Sequence, residues 1–548
     1  MNRVSKIGLA VLLAVVLLSS LALVRSGDLY FQIKKQLSIF SEIYKEVATL
    51  YVDEVSPETL MKSGVEAMLK NLDPYTVFID EGEQQQMEIL STGSFGGIGV
   101  DAGYRGNDVV IIAPLEGYPA QRAGLRPGDI IRSVNGVSTD GFTPEDVQEL
   151  TIGDVGTTVE IVIFRPGIEQ EIKYELERER IEIKNISFAD QIGQNNDIAY
   201  IHLSRFGQQA AEEIRESLLS TKAKESLNGL ILDLRNNPGG LLNEAVEIVD
   251  KFIEPGVTVV ETKGRITSQN NTFMSDEPAI FEDLPIIVLV NRGSASASEV
   301  VAGALQDLDR AVIVGEESFG KGLVQTIRPL PYNTSMKITV SKYYTPSGRS
   351  IQSINYTGEG GAYGQTTPDS LRRSFQTKNG RTVFDGHGIR PDIIMDPERE
   401  SRVETALLQN NHFFFFINQM INDEKLEGEL LPDNIYDLFL HYLEEQEFDY
   451  ETPADRSLEL LQQQIEYFDN ESEFNRSIAE LNKLAENHKQ DEIYKSRDFI
   501  LRELRNEFVS QKDGTAARFR ASLDDDPYML KAIELLTDSE FYQSVLTP

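Results

Sequence analysis

The sequence predicts a multidomain α/β protein with helical regions at both ends. Three observations predict it. The chain has 548 residues, too many for one hydrophobic core. In its middle, short apolar runs such as Gly229-Leu-Ile-Leu-Asp-Leu234 and Pro285-Ile-Ile-Val-Leu-Val290 alternate with helix-like patterns, as strands buried on both faces of a sheet do. Before residue 94 and after residue 400, apolar residues recur at helical spacing instead.

Composition narrows the function. Lys and Arg number 52 against 88 Asp and Glu, a formal net charge of −36 at pH 7, so nucleic acid is not expected as a partner. The chain has no cysteine. That excludes disulfides, thiolate metal sites, a cysteine nucleophile and a lipid anchor on an N-terminal cysteine.

Residues 1–27 read as a signal or membrane anchor. Arg3 and Lys6 precede an uncharged apolar run from Ile7 to Val24. Basic residues stay on the cytoplasmic side, so the bulk of the chain is expected to be exported. The run is just long enough to span a bilayer and long for a signal peptide. Ser20-Leu-Ala22 fits a cleavage site only weakly, so an uncleaved anchor is favoured over a released signal. Residues 28–93 read as helices. Ile33, Leu37, Phe40 and Tyr44 have helical spacing, as do Leu60, Val65, Met68 and Leu69, and Pro74 breaks the pattern. This module suits packing or dimerisation.

Residues 94–178 form the next domain. Phe95-Gly-Gly-Ile-Gly-Val100, Ala123-Gly-Leu-Arg-Pro-Gly-Asp-Ile-Ile131 and Val134-Asn-Gly136 follow in that order, and together they resemble a PDZ domain. A Gly-rich turn ahead of a strand presents successive N–H groups to an anion. A peptide added as an extra edge strand would place its terminal carboxylate there. Gly97, Ile98 and Gly99 are the candidate donors. Arg165 reads either as a solvated strand-end charge or as a link between tail binding and the active site.

Residues 179–400 alternate strands and helices. The strand Gly229–Leu234 ends in Arg235-Asn-Asn-Pro-Gly-Gly240, followed by an apolar helix from Leu241 to Phe252. Strand, glycine turn and helix together suit an anion at the helix N-terminus. A phosphate loop is excluded because no Gly-Lys-Ser/Thr follows. The strand Pro285–Val290 leads into Asn291-Arg-Gly-Ser-Ala-Ser-Ala-Ser-Glu-Val300. Ser296-x-x-Glu299 fits a capping box and starts a helix. Two readings are open: a serine-rich cap without chemistry, or a nucleophile beside the orphan N–H groups of a helix start. None of the five histidines lies near these serines in sequence. The next strand runs instead into Phe319-Gly-Lys-Gly-Leu-Val-Gln325. Lys321 is either a surface turn residue or a base, and a lysine serves as a base only when burial keeps it neutral.

The serine and lysine segments closely resemble the carboxy-terminal processing peptidases, also called tail-specific proteases. In that family the lysine lies 25 residues after the middle serine. Here that interval, 296 to 321, selects Ser296 over Ser294 and Ser298. The resemblance implies a Ser296 nucleophile, a Lys321 general base and Gln325 as the third residue. The Asn-Pro-Gly-Gly loop matches as well, which assigns the oxyanion hole to the N–H groups of Gly240 and Ala297. It further implies a crotonase-like α/β core. Thr345-Pro-Ser-Gly-Arg-Ser-Ile-Gln352 and Gly388-Ile-Arg-Pro-Asp-Ile393 match family segments, with residues 353–386 between them as a surface excursion. The resemblance runs from Tyr30 to Asp396. It implies an exported serine endopeptidase on the periplasmic side of the inner membrane, anchored or released. Its PDZ domain would select free, apolar C-terminal tails, and neither metal nor organic cofactor is needed. The rival readings are a non-catalytic PDZ scaffold and, more remotely, a crotonase-like acyl-CoA enzyme.

Residues 401–548 read as an acidic helical domain. Phe413-Phe-Phe-Phe-Ile417 is a dense apolar knot suited to core packing, and dimerisation or adaptor binding are further roles for the domain.

Overall fold

In the computed structural model the described residues are 29–84, 89, 93–105, 108–166, 168, 170–222, 227–356, 364–396, 400–423, 425–426, 428, 430–464 and 470–548. The apolar run 7–24, and with it the reading of residues 1–27 as a signal or anchor, lies outside them. Among the described residues, no helix is long and apolar enough to cross a membrane. The chain forms two compact units, one made of residues up to 84 with 325–339, the other of the remainder.

The first unit holds a helix over 29–50 and a second at Pro57–Leu69. Ser56 caps the second, taking the Thr59 N–H at 3.3 Å, with Pro57 in its first turn, where its missing N–H costs nothing. Asp73 then folds the chain back by accepting the N–H groups of Tyr75 and Thr76. The region is helical, as expected, with one strand after the break at Pro74. Val77–Ile79 is a strand, antiparallel to Ser335–Lys337. Its partner comes from a distant hairpin, so no local pattern announces it. Leu37, Phe40, Ile43 and Leu50 on the first helix are exposed.

The second unit begins with an antiparallel sheet in the order Val100–Arg105, Asp108–Pro114, Ile130–Val134, Thr158–Phe164, Ile172–Glu177. The helices Pro119–Ala123 and Pro144–Thr151 accompany it. Ile98, Val109, Ile111, Ile131, Val134, Ile161 and Ile163 form its core. Period-two alternation along Thr158–Phe164 buries Val159, Ile161 and Ile163. Ser94–Gly97 does not join this sheet; it pairs with Glu179–Glu182.

The central sheet has the order Ile186–Ile192, Ile198–Leu203, Gly229–Asp233, Ile286–Val290, Val312–Gly315, Ile393–Ile394. The first pair is antiparallel and the rest are parallel. Parallel strands need both faces covered, and alternate residues face different covers. Leu230, Leu232, Ile286, Val288 and Ile313 pack with Ile214, Ile248, Val249, Val301 and Leu305 of three crossover helices. Ile231, Ile287, Leu289, Val312 and Val314 pack instead with Leu523, Met529, Leu535 and Tyr542. The second cover comes from the C-terminal helices Pro527–Thr537 and Ser539–Leu546 and from Leu523, the last residue of the helix Thr515–Leu523. The C-terminal region therefore serves two cores. Its earlier helices, Arg402–Gln409, His412–Asn422, Ile435–Glu445 and Arg497–Asp513, bury Phe413, Phe416, Phe439 and Leu504 together with Val110 and Ile130 of the first sheet. Residues 353–386 are an excursion in part only: Arg381 ties the segment to Asp309 and Asp392 of the core at 2.6 Å each.

Candidate active site

The site lies where the parallel strands end, the usual place for a ligand in an open α/β sheet. The strand Ile286–Val290 leads into the serine segment and the helix Ala297–Asp307. The three serines are used differently. Ser294 Oγ donates to Leu234 O and Ser298 Oγ to Asn237 O, both at 2.8 Å. Each is fully buried and committed to the neighbouring loop. Ser296 is the helix N-cap, with φ 57° and ψ −110°. This is a conformation that a non-glycine residue adopts only under constraint, at a cost of about 1–3 kcal/mol.

Glu299 supplies part of that constraint. It is fully buried, and its Oε2 accepts the N–H of Ser296 and the N–H of Lys321, each at 2.8 Å. Oε1 accepts Ser318 Oγ at 2.5 Å and the Gly320 N–H at 2.6 Å. Burial pushes this carboxyl above its ordinary range, against four hydrogen bonds that favour the ionised form. One carboxylate thus brings the segments of Ser296 and Lys321 together. Lys321 is half-buried. Tyr343 is buried, and burial pushes its phenol up to about 12, with the Ser296 side chain opposing, so it stays neutral. Its N–H donates to Gly322 O at 2.8 Å.

The Arg235–Gly240 loop closes over the serine turn. Ala295 N–H donates to Asn237 O at 3.0 Å, and Asn236 and Asn291 exchange side-chain and backbone hydrogen bonds at 2.9 Å. A Cβ on Gly239 would lie 2.8 Å from Ala297 N and 2.9 Å from Ser296 Cβ, and φ there is 99°. Only glycine permits both the approach and the backbone angle. Phe206 N–H donates to Gly239 O and Leu241 N–H to Phe206 O. This parallel bridge leaves the Gly240 N–H turned away from it. Among the described residues, the N–H groups of Gly240 and Ala297 have no protein acceptor.

Gln325 belongs to the first unit, where its Nε2 donates to Thr339 Oγ1 at 3.3 Å. In the antiparallel domain, Gly97 ends the strand paired with Glu179–Glu182. Ile98 buries its side chain in the core, and Gly99 stands at φ 75°. The N–H groups of Ile98 and Gly99 have no protein acceptor among the described residues. The strand that follows, Val100–Arg105, is the edge of its sheet. Arg165 is no solvated strand-end charge: it grips Asp129 at 2.6 and 2.7 Å and the Gly124 carbonyl at 3.0 Å, all within the same domain.

Three features escaped the sequence reading. Glu299 showed only as half of a capping box. Nothing local marks Tyr343. The buried Asp233, which binds Tyr200 Oη at 2.8 Å and Arg235 at 2.6–3.0 Å, had a signal: a lone acid in an apolar strand.

The profile described as Peptidase family S41 matches residues 197–359, PDZ domain matches 110–165, and Probable PDZ-protease, C-terminal helical domain, matches 403–536. The chain is 36% identical over 326 residues to a carboxy-terminal-processing protease of Bartonella bacilliformis, covering 59% of this chain and 74% of that one. It belongs to the carboxy-terminal-processing protease family. It is a serine-type peptidase with a PDZ domain, an S41 core and helical regions at both ends. A probable CtpA-like serine protease of Staphylococcus aureus (strain bovine RF122 / ET3-1) is 35% identical over 317 residues, 58% of this chain and 62% of that one. Among solved structures, a photosystem II D1 C-terminal processing protease is similar at 27% identity and TM-score 0.35, covering 68% of this chain and 95% of that one. A PDZ domain of a Vibrio cholerae carboxy-terminal protease in complex with peptide is 26% identical, with TM-score 0.16, over 16% of this chain and 98% of that domain.

Proposed function

We propose that the protein is an exported endopeptidase that selects protein C-termini through its PDZ domain and cuts with a Ser296–Lys321 dyad. The observation that carries the reading is the shared Glu299 oxygen, which holds the backbones of Ser296 and Lys321 at 2.8 Å each. Ser296 Oγ attacks the scissile carbonyl carbon while the neutral Lys321 amine takes its proton. The negative charge that develops on the carbonyl oxygen is met by the Gly240 and Ala297 N–H groups, a pair of fixed dipoles needing no reorganisation. Lys321 returns the proton to the leaving amine. It then deprotonates the water that hydrolyses the acyl-serine ester.

A substrate tail would add to the edge strand Val100–Arg105, with its carboxylate at the Ile98 and Gly99 N–H groups beyond Gly97. The apolar run 7–24 would place the catalytic domains on the periplasmic side of the inner membrane. The test is cleavage of an unstructured protein with a free apolar C-terminus, by wild type and by Ser296→Ala. Cutting by wild type alone, weakened when the tail is amidated, is the expected result. Cutting by both proteins would remove Ser296 from the mechanism. Equal cutting of free and amidated tails would remove carboxylate selection.

A further inference from the structure

The Arg235–Gly240 loop is fastened at its first residue to the C-terminal helices. Most of its anchors lie inside the protease core: Asn236 on Asn291, Asn237 on Leu203 O and on Ala295 N, and Gly239 on Phe206. Arg235 reaches further. Behind it, Asp233 accepts its Nε at 3.0 Å and its Nη2 at 2.6 Å. In front, Nη2 lies 2.7 Å from Asp526 Oδ2, and Tyr528 places its ring centre 5.1 Å from the guanidinium carbon. The Tyr528 hydroxyl donates to Glu316 at 3.1 Å, and the Glu316 N–H donates to Val290 O, at the end of the strand that leads to Ser296. The Arg235 side chain is 18% exposed and that of Asp526 15%, so water screens the pair little.

Asp233 alone would neutralise Arg235. A second carboxylate and an aromatic face, brought from the far end of the sequence, add direction rather than charge balance. A guanidinium is a planar fork, so partners on two sides fix its orientation as well as its position. We propose that Asp526 and Tyr528 are positioning residues for peptide hydrolysis: they hold Arg235, and through it the loop whose Gly240 N–H faces the reacting oxygen. The assignment rests on the reading of Gly240 and Ala297 as the oxyanion donors.

Asp526 also caps the helix Pro527–Thr537, accepting the Tyr528 N–H at 2.8 Å. Asp526→Asn keeps an oxygen for that cap, which asparagine fills well, and removes the charge facing Arg235. Asp526→Glu keeps the charge. Tyr528→Leu removes the ring face. In the full chain, kcat and KM are measured on a peptide with a free apolar C-terminus. Inhibition is measured with a peptide aldehyde and with the corresponding alcohol. The aldehyde forms a hemiacetal oxyanion on the serine; the alcohol reports ground-state binding. Asp526→Asn is expected to lower kcat ~10-fold with KM within about twofold. The aldehyde-to-alcohol preference should fall by the same factor, Asp526→Glu should recover most of it, and Tyr528→Leu should lie between. Misfolding would lower the active fraction and leave that preference intact, which separates it from a positioning effect. An unchanged preference in Asp526→Asn, beside a wild type that favours the aldehyde, would overturn the proposal alone. A wild type with no preference for the aldehyde would overturn the oxyanion reading and the proposal with it.

Discussion

Glu299 shows how one side chain can hold two segments in register. Four donors converge on its carboxylate, from Ser296, Ser318, Gly320 and Lys321. Removing the acceptor orphans all four around a fully buried position, at a cost on the order of 1–3 kcal/mol for each. Glu299→Ala is therefore expected to lower the unfolding midpoint markedly in chemical denaturation. Glu299→Gln is the finer probe. Its amide keeps one acceptor oxygen but turns an NH2 group on the remaining donors. Its kcat should fall ~10-fold or more while KM stays near wild type, because the residue holds the segments of the proposed nucleophile and base and not the substrate. A KM rise with unchanged kcat would refute that role. His202 makes a residue-scale prediction of another kind. Burial pushes its imidazole below the ordinary value, with Asp233 opposing and Arg235 assisting. The folded state thus prefers neutral His202, while the unfolded chain protonates near the ordinary value of about 6.5. The stabilisation is complete above that value and is lost as pH falls through it. In the Ser296→Ala protein, stability should decline as pH falls below about 6.5, and His202→Gln should flatten that decline.

The helix His412–Asn422 decides how the PDZ domain is supported. Phe413, Phe414, Phe415, Phe416, Ile417 and Met420 are all buried, so the helix is apolar around most of its circumference, as a core helix is. Phe416 stacks edge-on against Phe439 at 5.2 Å within the cluster that includes Val110 and Ile130 of the PDZ sheet. Phe416→Ala should cost about 3–5 kcal/mol, read as an earlier transition in urea. It should also raise KM for tailed substrates more than it lowers kcat, since the PDZ support loosens and the Ser296 and Lys321 segments held by Glu299 do not. Equal kinetics after that loss of stability would separate this helix from substrate selection. The elements differ in how far they could be read. The phenylalanine knot announced a core, but not that a PDZ sheet shares it, because nothing in a local pattern names a distant partner. The strands ending at Asp233 and Val290 were legible from unbroken β-branched runs, and the loop Arg235–Gly240 from its glycines. Ser296 and Lys321 were singled out by a family interval, not by local chemistry. Asp526 carried no signal in the sequence, since its arginine lies nearly three hundred residues earlier.

The larger unit is built around one sheet with two covers of different origin. The first cover is local: each crossover helix follows the strand it protects, so it forms with the core. The second comes from residues 523–546 and lies over Ile231, Ile287, Leu289, Val312 and Val314, all buried. Tyr542 ties it to the central strand, its hydroxyl meeting the Ile286 N–H at 2.9 Å and carbonyl at 3.1 Å. A parallel sheet stripped of one cover exposes a contiguous apolar face, which water penalises by roughly 25 cal/mol per Å². A chain ending at Asp513 should thus keep its PDZ-side helices yet bare the protease sheet. Expected are binding of a hydrophobic dye, loss of near-ultraviolet circular dichroism and association on size-exclusion chromatography. Leu535→Ala, which removes part of one fully buried contact, should cost about 2–5 kcal/mol and leave the association state of the full chain unchanged. If the shortened chain kept the association state of the full chain and unfolded at the wild-type midpoint, the second cover would be dispensable. The C-terminal helices would then act on the site through Arg235 alone.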